Sequence, residues 1–148
     1  MSVQIDQPAL GHAVALKCRE CGRTTDLDAS YACAECFGPL EVAYESAPVT
    51  RQDIERGPLS LWRYEALLPV VPGAHGRPGL NPGLTKLVRA DNLAAALGAR
   101  TVWVKDDSVN HPTCSYKDRV VSVAATRAVE LGFTVFACAS TGNLAGSV

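Results

Sequence analysis

The sequence lacks a long apolar run, an excess of charge of either sign and an aromatic-rich segment. A membrane-spanning helix needs about 20 consecutive apolar residues, and the first ten residues, which are polar and contain Pro8, do not resemble a signal peptide. Lysine and arginine number 14 against 15 acidic residues, with no basic cluster, which argues against nucleic acid as a partner. We therefore expect a cytoplasmic protein that has neither a membrane nor a nucleic acid as its partner.

Cysteine, in contrast, is present in a regular pattern. Four of the six cysteines form two Cys-x-x-Cys pairs separated by eleven residues: Cys18, Cys21, Cys33 and Cys36. Such a turn presents both sulfur atoms to one ion, and Gly22 and Gly38 suit the left-handed backbone that it requires. The spacing favours a closed, structural Zn²⁺ site of four thiolates, with iron less favoured. Disulfides are the alternative, but the reducing compartment that we expect favours a metal.

Short elements are predicted around these cysteines and after them. Alternating apolar residues predict strands at Ala13–Leu16 and Leu40–Tyr44, the second of which closes a small β-ribbon. Thr50 is a suitable cap for a short helix through Arg56, and Leu61–Leu68 reads as another short helix. Residues 69–83 are rich in proline and glycine, which predicts a linker.

An α/β pattern occupies the rest of the chain. The predicted elements alternate between strand and helix, and they cover Leu87–Val88, Asp91–Leu97, Thr101–Lys105, Val120–Leu131 and Thr134–Ala139. Repeated strand, helix and strand units predict a right-handed parallel arrangement. We divide the chain into a zinc-ribbon-like segment at 1–45, short helices and a linker at 46–83, and the first part of an α/β lobe at 84–148.

Lys117 lies where the helix of this lobe is expected to begin. A polar loop containing Pro112 precedes it, and the apolar periodicity that follows predicts an amphipathic helix closed by Gly132. At a helix N-terminus the macrodipole opposes an ammonium by roughly 0.3–1 kcal/mol, so the free amine is favoured. An uncharged lysine amine in a pocket is suited to Schiff-base chemistry. The alternative is a solvated lysine in the first helical turn.

A second polar turn follows the predicted strand Thr134–Ala139. Its small polar residues, just before another expected helix start, are Ser140, Thr141, Gly142 and Asn143. Backbone N–H groups at such a turn bind anions, and open parallel sheets bind ligands at the carboxyl ends of their strands. We therefore expect this turn and the Lys117 loop to face one crevice.

The two motifs, Ser115-Tyr116-Lys117-Asp118-Arg119 and Ser140-Thr141-Gly142-Asn143, resemble those of pyridoxal-phosphate enzymes of the tryptophan synthase β fold type. Within that group, Lys105-Asp106-Asp107, the Lys-Asp-Arg core and the cysteine-bearing N-terminus resemble the threonine synthases most. The resemblance runs from about Leu16 to the end of the chain. It implies pyridoxal 5′-phosphate as the cofactor, an amino acid as the small-molecule substrate, and a homodimer for the full-length enzyme.

The resemblance also implies roles for individual residues. The lysine that matches Lys117 binds the cofactor covalently and then transfers protons, and the aromatic residue that matches Tyr116 lies near the pyridine ring. The asparagine that matches Asn143 hydrogen-bonds the ring hydroxyl group of the cofactor. The loop that receives the substrate carboxylate corresponds to Ser140, Thr141 and Gly142. Lys105-Asp106-Asp107 is either a solvated turn or a support for the cofactor loop.

Three departures from the family pattern stand out. In a motif that often reads Asn-Pro-Thr-Gly-Ser, His111 precedes Pro112 and Cys114 replaces the glycine. In the element Gly-x-Thr-Pro-Leu, Lys86 replaces the proline. Neither change removes a group that the chemistry needs. The glycine-rich phosphate loop of the family, and the residue that meets the pyridine nitrogen, lie beyond Val148.

The expected fold is therefore α/β, an incomplete parallel-sheet lobe of a pyridoxal-phosphate enzyme preceded by a zinc-ribbon-like β segment. The expected function is that of a threonine synthase, which forms L-threonine and phosphate from O-phospho-L-homoserine and water. The alternatives are a related elimination or replacement enzyme, such as a threonine or serine dehydratase or a cysteine or cysteate synthase, and a non-catalytic zinc-ribbon module. We expect the isolated chain to be at best weakly active and prone to associate, because an incomplete sheet exposes its edges.

Overall fold

The computed structural model describes residues 10–46, 48–73 and 80–148, so the middle of the predicted Pro/Gly-rich linker lies outside the described residues. In chain order the elements are β1 (Ala13–Cys18), β2 (Thr24–Thr25), β3 (Leu40–Tyr44), α1 (Arg51–Arg56), β4 (Leu87–Arg89), α2 (Asp91–Ala96), β5 (Trp103–Lys105), α3 (Lys117–Glu130) and α4 (Asn143–Ser147). Two 3₁₀ helices cover Leu61–Leu67 and Asp107–Val109. In the part of the chain that the structure describes, no helix has the length and apolarity needed to cross a bilayer.

Strands β1, β2 and β3 form the predicted ribbon. They make an antiparallel sheet in the order β2-β1-β3, in which Leu16 lies opposite both Thr25 and Val42. Ala13 and Leu16 of β1 are buried while Val14 is exposed, and β1 ends on the buried Cys18. The two strands predicted at Ala13–Leu16 and Leu40–Tyr44 are confirmed, and they deliver the first cysteine to one end of the sheet.

Two short helices follow the ribbon, as predicted. Thr50 caps α1 through a capping box, since its hydroxyl accepts from Asp53 N at 3.2 Å and the Asp53 carboxylate accepts from Thr50 N at 2.9 Å. The second helix is a 3₁₀ helix that begins after Ser60. It buries Trp62, whose indole N–H donates to Leu80 O at 2.8 Å. This helix therefore packs against the segment that leads into the lobe.

The arrangement of β4 and β5 corrects the sequence prediction. The two strands pair antiparallel, with Val88 opposite Val104, and Ala90 N donates to Val102 O at 2.9 Å to continue the ladder. Helix α2 is thus an insertion in the loop of a hairpin rather than a crossover between parallel strands. The prediction failed because apolar alternation identifies a strand but does not encode the direction of its neighbour.

The predicted strand at Thr134–Ala139 is also absent from the described structure, where these residues form an exposed, irregular segment. Val135, the most exposed of its larger apolar side chains, is 80% exposed. A strand is stable only when neighbours accept its backbone hydrogen bonds and cover its side chains. Among the described residues, β4 and β5 form a separate two-stranded sheet that does not reach this segment. The parallel lobe expected from the sequence is therefore not formed here.

Helix α3 is the longest element and agrees with the prediction. It begins at Lys117, ends at Glu130, and is followed by Gly132 with a left-handed φ of 83°. Its C-terminal half contacts two other segments, because Arg127 Nη2 donates to Leu27 O at 2.6 Å and Val71 N donates to the Glu130 carboxylate at 2.9 Å. Leu27 belongs to the loop between the two cysteine pairs, so α3 and the ribbon are directly connected.

Candidate functional site

The four cysteines of the ribbon form one compact cluster, which we call the cysteine cluster. Their sulfur atoms all lie within 4.8 Å of one another, with the closest pairs 3.5 and 3.6 Å apart: Cys18 with Cys36, and Cys21 with Cys33. Thiolates at about 2.3 Å from a tetrahedral Zn²⁺ lie about 3.8 Å from one another. A disulfide requires about 2.05 Å between sulfur atoms, and all four cysteines are free. The cluster therefore fits a metal site of four thiolates.

The backbone of the two knuckles explains this geometry and corrects one detail of the prediction. Gly22 and Phe37 follow the second cysteine of each pair, and both have a left-handed backbone, with φ of 75° and 57°. In the second knuckle the left-handed residue is thus Phe37, not Gly38. Glycine is needed at 38 for another reason, since a Cβ there would lie only 2.9 Å from Cys18 Sγ. Gly38 lets the two knuckles approach each other.

Backbone N–H groups of the knuckles are directed at the thiols. The N–H of Cys21 is the main cause that lowers the pKa of Cys18 to about 7, and the N–H of Cys36 likewise lowers the pKa of Cys33. The N–H of Gly38 acts in the same direction on Cys36. There the three neighbouring thiols and burial outweigh it and raise the pKa to about 12. The knuckles thus stabilise the thiolates of Cys18 and Cys33, the form in which cysteine binds metals, while the crowded thiols disfavour a further negative charge on Cys36.

Lys117 occupies the first position of α3, as the sequence predicted. Tyr116 provides no side-chain cap, and the cap is instead the Ser115 hydroxyl, which accepts from Lys117 N at 3.2 Å. The half-buried Lys117 side chain places Nζ 4.8 Å from the centre of the Tyr116 ring. The helix start, the amine and the aromatic ring named from the motif are therefore side by side.

Asp118, the next residue, lies at the centre of a buried polar network. Its side chain is fully buried, and it accepts hydrogen bonds from Thr113 Oγ1 at 2.6 Å, Thr113 N at 3.1 Å and Ser147 Oγ at 2.8 Å. Burial alone would raise the pKa of Asp118, but the hydrogen bonds from Thr113 and Ser147 outweigh it and hold the pKa below its ordinary value. Asp118 is therefore a buried carboxylate whose stabilising contribution is lost as the pH falls through its folded-state pKa.

Asn110 connects this network to the Gly83 element. It is fully buried, and its Oδ1 accepts from Gly83 N at 2.8 Å while its Nδ2 donates to Ser115 O at 2.7 Å. The Nδ2 also lies 3.4 Å from the Asp118 carboxylate. Gly83 has a φ of 100°, which favours glycine, and a Cβ there would lie 3.0 Å from Leu61 N. Two loops distant in sequence are thereby fixed to one another.

The guanidinium of Arg119 connects Thr85, in the Gly83 element, to Asp107, in the Lys105-Asp106-Asp107 motif. Arg119 donates to the Asp107 carboxylate at 2.6 Å and to Thr85 Oγ1 at 3.1 Å, and the Thr85 hydroxyl donates to Asp107 at 2.5 Å. The hydrogen bond from Arg119 is the main cause that holds the pKa of Asp107 below its ordinary value. Lys105 Nζ donates to Thr85 O. Lys105-Asp106-Asp107 is therefore tied to the lysine loop rather than forming a freely solvated turn.

The second motif lies at the start of α4. Asn143 is the first residue of this helix, and Gly142 N donates to Ser140 Oγ at 3.2 Å. The side chains from 140 to 143 are exposed. Helix α4 packs against α3 through the hydrogen bond from Ser147 to Asp118. The structure thus places the helix that begins with Lys117 beside the helix that begins with Asn143.

Comparison with known proteins shows which family residues 80–148 resemble. Residues 80–148 match the family described as pyridoxal-phosphate dependent enzyme. This part of the chain is similar to the pyridoxal-phosphate-dependent enzymes. The family expected from the two motifs is thus confirmed.

The curated proteins that the chain resembles include several threonine synthases. The chain is 38% identical over 136 residues to the threonine synthases of Methanocaldococcus jannaschii and Methanosarcina acetivorans, which covers 89% and 90% of this chain. It is 39% identical over 87 residues, 55% of this chain and 22% of the relative, to that of Synechocystis sp.. The chain spans about a third, 33%, of the length of each of the first two relatives. No solved structure matches the chain at a comparable significance.

The residues present suit the cofactor of pyridoxal-phosphate-dependent enzymes. The cofactor aldehyde needs a primary amine, which Lys117 offers at a partly covered helix start. Its polar substituents need hydrogen-bonding groups, which the exposed residues 140–143 offer in the turn that leads into the neighbouring helix. Sequence analysis found both motifs but assigned no role to Asn110, Asp118 or Ser147, because these residue types are common where they stand. The hydrogen bonds that connect them to Gly83 and to one another join segments distant in sequence.

Cys114 shows the structural cost of one departure from the family pattern. It lies where the related motif often has glycine, and its backbone is left-handed, with φ of 58°. A residue with a Cβ loses about 1–2 kcal/mol in this conformation, whereas glycine costs about 0.5–1 kcal/mol in folding entropy. Cys114→Gly is therefore expected to raise the free energy of unfolding by about 0.5–1 kcal/mol.

Denaturant unfolding would measure this change. Cys114→Ala is the matched control, since it also removes the exposed thiol but keeps the Cβ, and we expect it to leave the stability nearly unchanged. Equal stabilisation by both variants would attribute the effect to the thiol and contradict the assignment to backbone conformation.

Proposed function

We propose that the protein acts as a threonine synthase, which converts O-phospho-L-homoserine and water into L-threonine and phosphate with pyridoxal 5′-phosphate as cofactor. The observation that carries this proposal is the amine of Lys117 at the start of α3, in a chain that is 38% identical over 136 residues to two threonine synthases. Because the chain spans about a third of these relatives, the proposal concerns the whole protein of which such a lobe is part.

Lys117 is proposed to act first as the group that binds the cofactor. Its amine would hold the cofactor through the aldehyde, and when Nζ is not bonded to the cofactor it would accept and return protons. Tyr116, whose ring lies beside Nζ, would lie near the pyridine ring of the cofactor. When bound, the cofactor supplies the electron sink for the reaction, and the protein supplies position and proton transfer.

The start of α4 is proposed to orient the ring hydroxyl of the cofactor and the carboxylate of the substrate. Asn143 would donate a hydrogen bond to the ring hydroxyl of the cofactor. Ser140, Thr141 and Gly142 would receive the substrate carboxylate, for which their hydroxyl and backbone N–H groups are chemically suitable. Their exposure leaves these groups available to a ligand.

The cysteine cluster is proposed to hold a structural Zn²⁺. Four thiolates leave no open coordination position, so the ion would stabilise the ribbon and take no part in the reaction.

We further propose the three-part division at residues 45 and 83, a cytoplasmic location and a homodimer for the full-length enzyme. Thr134–Ala139 would become a strand of a parallel sheet once neighbouring strands accept its hydrogen bonds.

The proposed activity is tested on the native protein, isolated from its source cell and followed through peptides that contain Lys117. We expect an intact mass well above 15.6 kDa, and phosphate release from O-phospho-L-homoserine without keto-acid release from serine or threonine. Keto-acid release without phosphate release would instead indicate a dehydratase. A native mass near 15.6 kDa with neither activity would favour the zinc-ribbon module.

A further inference from the structure

The carboxylate of Asp118 is the point at which three segments of the lobe meet. It accepts from the loop through Thr113, from the preceding segment through Asn110, and from α4 through Ser147. All of these donors are uncharged, so the carboxylate is held by directed hydrogen bonds and not by an ion pair. Hydrogen bonds to a buried charge are strong and depend on geometry, because no water can replace a donor that moves away. Asp118 therefore fixes its donors in position.

The hydrogen bond from Ser147 is the one that crosses between the two helices. Ser147 is buried, and its Oγ lies 2.8 Å from the Asp118 carboxylate and 2.9 Å from Asn143 O. A hydroxyl has a single proton, and the charged acceptor is the stronger of the two. The Thr113 hydroxyl, 3.1 Å from Ser147 Oγ, already donates to the same carboxylate oxygen. Both hydroxyl protons are thus directed at Asp118.

Among the described residues, this contact is the side-chain hydrogen bond that joins α4 to α3. The other side chains of α4 are exposed or only half-buried, and Ser147 is its one buried residue. Asn143, the first residue of the helix, lies one turn before Ser147. The bond between Ser147 and Asp118 therefore fixes the turn of helix that begins with Asn143 relative to the first turn of α3.

We propose that Asp118 and Ser147 are positioning residues that hold the start of α4 against the start of α3. They set the distance between the group that binds the cofactor aldehyde, Lys117, and the group that binds the cofactor ring, Asn143. The roles of Lys117 and Asn143 toward the cofactor rest on the proposed function, whereas the contact of Asp118 with Ser147 between the helices does not. Asp118 and Ser147 do not need to touch the cofactor or the substrate.

Ser147→Ala removes the crossing hydrogen bond with little change in volume. We expect the amides of Gly146 and Val148, which donate within α4, to exchange hydrogen about tenfold faster, the factor that corresponds to losing a hydrogen bond to a charged group. Ser147→Thr restores the hydroxyl and is expected to restore slow exchange. The matched control is Ser122→Ala, since Ser122 is equally buried but donates only to Asp118 O within α3. It should leave α4 unchanged.

A second measurement uses pyridoxal phosphate itself and reports orientation. In the wild type we expect circular dichroism in the cofactor absorption band. With Ser147→Ala, the absorbance and the borohydride-trapped adduct on Lys117 should persist. The circular dichroism should fall by about half or more, because a weakened contact lets the helices populate other relative positions. Unchanged hydrogen exchange and circular dichroism in Ser147→Ala would overturn the proposal. If no adduct forms in the wild type, the proposed function fails, and hydrogen exchange still decides whether the helices are linked.

Discussion

Replacing Lys117 with arginine is expected to abolish covalent binding of pyridoxal phosphate completely. A guanidinium keeps the positive charge and nearly the length of the lysine side chain, but it stays protonated and has no amine that can bond to the aldehyde. Because Lys117 is half-buried at the first position of α3, arginine can be accommodated without disturbing the helix. Borohydride reduction followed by mass spectrometry of the peptide that contains residue 117 measures the loss.

The control for this variant is Lys105→Arg. Lys105 is an exposed lysine near the same loops, and its Nζ donates to Thr85 O, a bond that arginine can make. We expect this variant to retain the adduct on Lys117 at the wild-type level. An adduct that survives in Lys117→Arg, or that maps to Lys86 or Lys105 in the wild type, would show that the cofactor lysine had been wrongly assigned.

The second large effect is expected for Cys33→Ser. Cys33 is a buried member of the cysteine cluster, and a serine hydroxyl is a much poorer zinc ligand than a thiolate. Structural zinc in small domains contributes on the order of 10 kcal/mol of folding free energy. We therefore expect the variant to lose stoichiometric zinc, and the ribbon to unfold well below the unfolding temperature of the rest of the chain.

Metal analysis and thermal unfolding with and without a chelator measure this effect. Cys138→Ser is the matched control, since Cys138 is exposed and outside the cluster, and it should keep zinc and stability. A chelator should lower the unfolding temperature of the wild type and of the control but leave that of Cys33→Ser unchanged. Equal zinc content in both serine variants would contradict a site of four thiolates.

Features encoded by neighbouring residues could be predicted from the sequence. The start of α3 at Lys117 follows from a polar loop, an apolar period of helical spacing and a closing glycine, all within about 20 residues. The cysteine cluster follows from a fixed spacing whose geometry leaves few solutions. In both cases the physical cause lies within the segment, so no knowledge of the rest of the fold was required.

Features that depend on distant residues could not be predicted. The antiparallel pairing of Val88 with Val104, and the irregular course of Thr134–Ala139, depend on which strands are available as neighbours. The hydrogen bond from Ser147 to Asp118 joins residues 29 positions apart, and neither residue type is unusual where it stands. Even the left-handed Phe37 was missed, because an adjacent glycine offered the simpler explanation for the turn.

The hydrogen bond from Arg127 to Leu27 has a thermodynamic consequence. It fastens the loop between the two cysteine pairs to the helix that begins with Lys117, across 100 positions of sequence. Coupling free energies between two sites are reciprocal. If a metal ion bound to the ribbon stabilises this contact, a ligand that stabilises the same contact from α3 would raise the affinity of the ribbon for the metal. The metal would raise the affinity for that ligand by the same factor.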